Sequence, residues 1–407
     1  MVSPMPLYEC SLPKIGRVPA FNLAEHQSVK RLFIMRNMHI ICGLIVTVTA
    51  PQALAAEFAT TAGKVETTII ADGLRNPWAI QFLPDGAILV TEREGALRII
   101  KDGVVGEELA GLPPIAVAGQ SGLLDVATSC DFETSGTIFF SYSKAGKGGT
   151  GTAVARAELV RNGETGGRLE NTRDIFVMNK MSSTTRHYGS RIVVAPDCNL
   201  FITTGDRGDA PRAQDMNDHA GAVLRIAADG SVPKDNPYVS GGALPEIWSK
   251  GHRNPQGATL DPVNGGLITV EHGAKGGDEI NRPEAGKNYG WPIITFGRDY
   301  TGLSIGEGTE KAGLEQPLFY WDPSIAPSGI MVYRGAMFQT WKDDVFVGAL
   351  AGTMLVRLER DGDGFKEAER LFEGELGRIR DVREAPDGSI YVLVDDDPGQ
   401  VIRIAIK

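Results

Sequence analysis

The chain repeats itself. Residues 78–91 read WAIQFLPDGAILVT, 191–204 read RIVVAPDCNLFITT, 257–270 read GATLDPVNGGLITV and 380–393 read RDVREAPDGSIYVL. Each is a short strand, a Pro-Asp-Gly-like turn and an apolar, β-branched strand. LLDVATSCDFETSGTIFF at 123–140, with a longer turn, and IMVYRGAMFQTWKDDVFV at 330–347 fit the same frame. A third strand follows most copies, as ALRIIKDG at 96–103, AVLRIAADG at 222–230, MLVRLERDG at 354–362 and VIRIAIK at the end. Six units of three or four strands would leave open edges in a single sheet, and radial repetition about an axis protects them. The expected fold is all-β, a six-bladed β-propeller. VETTIIADG at 65–73 precedes the first copy and has no partner within it. It is expected to pair with the last blade and close the ring. A pair of β-sandwiches is the competing architecture, but sandwiches do not require a repeated strand–turn–strand unit.

Composition agrees with a turn-rich β protein: 42% of the 407 residues are hydrophobic, with Gly 50 and Pro 23. A net charge of -10 argues against nucleic acid as a partner. From Met35 the chain reads MRNMHIICGLIVTVTAPQALAAEF, with Arg36 before a short apolar core at 40–50 and Ala53-Leu54-Ala55 as a small-residue cleavage site. The expected organisation is therefore residues 1–55 as an upstream extension plus secretory signal peptide, with the true start at Met35. Residues 56–407 then form one propeller domain, periplasmic or secreted. A cytoplasmic protein with an apolar N-terminal segment is the alternative. The apolar core is shorter than the roughly 20 residues that span a bilayer, and the mature chain has no membrane span of its own. It keeps two cysteines, Cys130 and Cys198, at the turns of neighbouring repeats. One disulfide or two free thiols both fit this placement.

Loops between blades gather at one end of a propeller channel, on a rigid base. Polar residues recur just before the first inner strands: GQSG at 119–122, RHYGSR at 186–191, GHRNPQG at 251–257 and GRIRD at 377–381. Inner strands end in TGDRGD at 204–209 and EHGAKGGDEI at 271–280. His187 is the candidate general base, with Asp206 to orient its ring; a structural histidine bonded to a loop backbone is the competing reading. Arg253, Arg378 and Arg380 suggest a polyanionic ligand. The carbonyls of Gly273 and Ala274 suit a hard cation such as calcium. Asp278 and Glu279 are nearby, though acidic loops are most often solvated. These features define a base, an anion cradle and a cation loop, but not a reaction.

Residues 65–407 resemble the soluble quinoprotein sugar dehydrogenases, which use pyrroloquinoline quinone (PQQ). The resemblance rests on GLRNPWAIQFLPDG, GQSGLLDVA, RHYGSRIVVAPD, GDRGD, VLRIAADGSVPKDNPY, GHRNPQG, GGDEINRPEAGKNYGWP, SIAPSG and RIRDVREAPDG, in that order. It implies that Arg253, Arg378 and Arg380 hold PQQ, with Gln120, Asn254 and Ser324 as polar contacts. It implies one calcium on the Gly273 and Ala274 carbonyls and a second near Glu279, the Tyr289 carbonyl and Asp299. His187 would take the proton of an aldose anomeric hydroxyl, with Asp206 and Arg253 completing the catalytic set. The product would be a lactone, with electrons leaving to an unknown acceptor. Ala351, in GALAGT, stands where a glucose-oxidising member has a cofactor-contacting lysine. The chain is thus similar to the broader aldose dehydrogenase branch. A calcium-dependent lactonase or an extracellular binding module is the alternative function, and the chain would act as a monomer or homodimer.

Overall fold

The computed structural model describes residues 56–407; the extension and signal peptide expected at 1–55 lie outside the described residues. Six antiparallel sheets form a six-bladed β-propeller. Five sheets of four strands span residues 77–105, 123–177, 192–250, 255–321 and 327–371. The remaining sheet carries Ile379–Glu384, Ile390–Val394 and Gly399–Ile406, then Gly63–Leu74 and Ala56–Thr60. Gly63–Leu74 runs antiparallel to Gly399–Ile406, from Val65 opposite Ile406 to Leu74 opposite Gly399.

The repeated turn has a local cause. In Pro84-Asp85-Gly86 the Asp85 carboxylate accepts the Ala87 N–H at 3.1 Å, and Gly86 adopts φ 79°. Asp197, Asp261 and Asp387 bond the backbone two residues ahead in the same way. Such Asx turns reverse the chain tightly between strands, and the left-handed position favours glycine. Cys198 takes that position at φ 63° in its copy. It is joined to Cys130 of the preceding blade, with the Cα atoms 5.8 Å apart.

Alternating apolar residues on the two faces of each blade pack against the next blade. Trp78, Leu89 and Ile99 meet Leu123, Phe140 and Ala155, while Ile80, Val90 and Ile100 meet Leu393 and Val401. The contact between the third and fourth blades is the leanest, with Val193, Val223, Ala258 and Leu267 as its buried apolar residues. Near the axis the filling is ionic. The Arg191 guanidinium lies 2.9 Å from Asp125 and 3.2 Å from Asp381, 4.4 Å from the Trp78 ring centroid. Asp381 also accepts the Ile80 N–H, and Arg191 Nε donates to the Gln256 carbonyl. This cluster joins strands of five blades and gives the loops above it a stiff platform.

Candidate active site

The loop that enters the third blade carries His187 in the left-handed region, at φ 57°. It packs so closely on Gly205 that a Cβ there would lie 2.1 Å from the His187 carbonyl oxygen. Gln120 accepts the His187 backbone N–H at 2.7 Å. Buried Arg207 donates to the carbonyls of Thr184 and Arg186, with its guanidinium 3.4 Å from the Tyr188 ring centroid. Two blades and two arginine–carbonyl contacts thus hold one histidine.

His187 Nδ1 lies 2.7 Å from Asp206 Oδ1. Burial alone would raise the Asp206 carboxyl, but hydrogen bonds from His187 and Gly208 outweigh it and hold the group below its ordinary value. An ionised carboxylate only accepts, so Nδ1 carries the proton and Nε2 keeps its lone pair. Burial, reinforced by the charges of Arg253 and Arg186, overrides the pull of Asp206 and holds the imidazole below its usual value. The pair lines a pocket of about 480 Å³ with Gln120, Arg253, Trp291 and Tyr300.

GHRNPQG is divided among several tasks. His252 faces inward, between Glu271 at 2.8 Å and Ser249 at 2.9 Å, stacked on Tyr289. Arg253 reaches the pocket, 5.3 Å from the Trp291 ring centroid, and its carbonyl accepts the Asp206 N–H. Its Nε is buried without a partner. Asn254, expected as a cofactor contact, is fully buried behind the histidine loop and accepts the Gly189 N–H at 3.1 Å. Gln256 accepts from Arg380 at 2.8 Å.

The three arginines do not share one cavity. Arg378 and Arg380 line a recess of about 180 Å³ with Arg93, Trp78 and His272; Gln120 belongs to both this recess and the pocket of Arg253. Arg380, expected to be free for a ligand carboxylate, is already paired, with Nη2 2.5 Å from Asp395 Oδ2. Asp395 directly follows Ile390–Val394, the strand paired with Ile379–Glu384 in the same blade, so the hairpin itself brings the acid to Arg380. His272 was not singled out in the sequence, yet it lines three cavities. Burial, with Arg253 and Arg380 nearby, pushes its pKa down to about 3, so the ring is neutral and its Nε2–H donates to the Pro327 carbonyl at 2.6 Å.

Gly273, Ala274, Ser324 and Ala351 line a cavity of about 670 Å³. Ser324 is therefore not in the arginine recess; its hydroxyl donates to Asp278 at 2.6 Å. Asp278 is not a solvated loop acid. It is fully buried and accepts the N–H groups of Gly273, Ile325 and Ala326, tying the fourth blade to the fifth. Lys275 and Arg298 line the same cavity as Ala351, so positive charge remains where the lysine is missing.

Glu279 and Tyr289 line a small cavity of about 10 Å³ with Glu271 and Gly273. Burial and the neighbouring Glu271 push Glu279 up to about 8. Glu271 is taken up by His252 Nδ1, Asn281 Nδ2 and the N–H groups of Arg253 and Asn254, so Glu279 is the acid there with an oxygen to spare for a hard divalent cation. Asp299 is not part of this group. Its carboxylate accepts from Thr301 N and Oγ1 at 2.8 and 2.7 Å, closing its own turn beside the larger pocket.

Fold and mouth together define a β-propeller enzyme. The chain belongs to the glucose/sorbosone dehydrogenase family, whose model matches residues 74–403. It is 40% identical over 347 residues to an aldose sugar dehydrogenase of Escherichia coli, covering 84% of this chain and 93% of that protein. The apo crystal structure of a soluble aldose sugar dehydrogenase from Escherichia coli superposes with a TM-score of 0.81 at 39% identity, covering 84% of this chain and 100% of that one. A PQQ-bound aldose sugar dehydrogenase from Streptomyces coelicolor gives a TM-score of 0.70 at 26% identity, covering 88% and 100%. The chain is a sugar dehydrogenase, an oxidoreductase, and its substrate is a sugar. No helix among the described residues is long and apolar enough to cross a membrane.

Proposed function

We propose that this protein oxidises aldoses at C1 to lactones in the periplasm, with PQQ and calcium. The observation that carries the reading is the His187–Asp206 pair, with Nε2 unprotonated in a pocket that also holds Arg253. When bound, PQQ supplies the acceptor for the hydrogen leaving C1, and calcium polarises the accepting carbonyl. His187 Nε2 takes the anomeric hydroxyl proton. Asp206 stabilises the imidazolium that results. Arg253, with an unpaired buried Nε, and Arg378 suit an acceptor-rich, anionic cofactor. The Gly273 and Ala274 carbonyls fit one calcium, and Glu279 with the Tyr289 carbonyl fits a second. The leader pattern after Met35 supports export.

Among the described residues no three His, Cys, Asp or Glu side chains form a group that could hold a metal. The loop expected to hold the central ion offers backbone oxygens rather than side-chain acids, which favours this reading over a lactonase. The test is reconstitution. Chelator-stripped protein is given PQQ and calcium, alone and together, with an aldose and a dye acceptor, and the product is identified. Dye reduction and lactone formation that need both additions are expected. Lactone hydrolysis with calcium alone would replace this reading with the lactonase.

A further inference from the structure

Both oxygens of Asp206 are occupied. Oδ1 accepts from His187 Nδ1 and the Gly208 N–H, each at 2.7 Å. Oδ2 accepts the Trp291 indole N–H at 2.8 Å. Trp291 arrives from the fourth blade, 85 residues along the chain. Its backbone is held at both ends: its N–H donates to the Gly251 carbonyl at 2.9 Å, and its carbonyl accepts from Gln214 at 2.7 Å. The indole N–H can only donate, so its partner oxygen must stay an acceptor. A protonated carboxyl that turned its hydrogen toward Trp291 would lose this bond.

We propose that Trp291 is a positioning residue for the base: its indole N–H pins Asp206 as an anion, in the orientation that leaves His187 Nε2 open to substrate. The inference rests on the reading of His187 as the base. The same bond sets how strongly Asp206 attracts a proton to the imidazole. Asp206 shares its negative charge with the indole dipole. Without that donor the carboxylate pulls harder, and His187 is harder to deprotonate. The charged groups facing the pair are Arg253 and Arg186 on His187, and Arg253 and Arg207 beside Asp206; Asp299 lines the same pocket, and neutral His272 lies within electrostatic reach. Arginine is effectively always cationic in proteins. Asp206 is thus the group through which a change at position 291 reaches His187.

The experiment follows the His187 ring nitrogens by ¹⁵N NMR in cofactor-free protein, assigned against the His187→Ala spectrum, together with the pH–rate profile of the reconstituted enzyme. In Trp291→Phe, the His187 pKa should rise by about half a unit to one unit, and the acidic limb of kcat/KM should move with it. Sugar KM should change less than kcat at low pH. Replacement of Trp291 by 3-benzothienylalanine keeps the bicyclic shape, removes only the N–H donor, and should give the same shift even if the phenylalanine variant fails to fold. An unchanged His187 pKa in either folded variant overturns the proposal. Full turnover by His187→Ala would instead overturn the base assignment, while leaving the effect of Trp291 on the wild-type histidine measurable.

Discussion

Arg380 and Asp395 form a closed pair in the sixth blade, with Nε and Nη2 of the arginine 3.2 and 2.5 Å from one carboxylate oxygen. Arg378, two residues earlier, approaches the same carboxylate only to 3.9 Å, with half of its side chain exposed. The two arginines should therefore respond differently. Arg380→Ala strands a buried acid and should cost about 3–5 kcal/mol of stability. Arg378→Ala should melt like the parent and weaken PQQ binding by about ten- to a hundredfold, the range for one charge-assisted hydrogen bond. Thermal unfolding and PQQ titration on both variants check this; identical behaviour would show that the recess does not distinguish them.

His187→Gln should still bind PQQ and lose about 10²–10⁴-fold in sugar oxidation, the usual cost of removing a general base. Single-turnover kinetics at saturating PQQ measure the loss. Unchanged turnover would make His187 structural.

The pH dependence has a definite sign. A general base works in its neutral form, and burial holds the His187 pKa below its ordinary value. Activity should therefore persist as pH falls through about 6.5 and fail only lower, where the folded imidazole protonates. The same depression means that His187 contributes stability above the unfolded pKa that is lost as pH falls below it. A kcat/KM profile whose acidic limb lies above pH 7 would contradict this.

Calcium should act on the small cavity lined by Glu279 and Tyr289. Chelation should lower the melting temperature of cofactor-free protein, and added calcium should restore it by mass action. Glu279→Gln should abolish most of the calcium-dependent rise. Calorimetric melts across a calcium titration provide the measurement, and an equal rise in the variant would move the ion elsewhere.

Unfolded, unreduced protein should show no free thiol from Cys130 or Cys198, which are 68 residues apart in sequence. Cys130→Ser should cost about 2–4 kcal/mol, the typical contribution of such a cross-link. Labelling of both thiols would remove the bond from the account.

Much of the fold was legible because its cause is local. Asp85 and Asp387 bond the backbone two residues ahead, glycine follows each, and β-branched residues come next, so the turns and inner strands lie where the repeats placed them. His187 and Asp206 could be paired from sequence for a similar reason: both belong to the third repeat, and one hairpin brings its entry loop and strand end together.

What lay between repeats was not legible. Trp291 reaches Asp206 across 85 residues, and Arg380 reaches Gln256 across 124. The family resemblance implied Asp299 beside a second calcium, and the structure has its carboxylate accepting from Thr301 in its own turn. The sequence by itself determined the repeated unit, its number and the polar content of its loops, because hydrogen bonds two residues long and alternating burial act within one blade. Only the tertiary structure decided that Trp291 holds Asp206 and that Gln256 meets Arg380. Those outcomes depend on the angle at which one rigid blade packs against the next, and that angle is set by contacts among residues far apart in the chain.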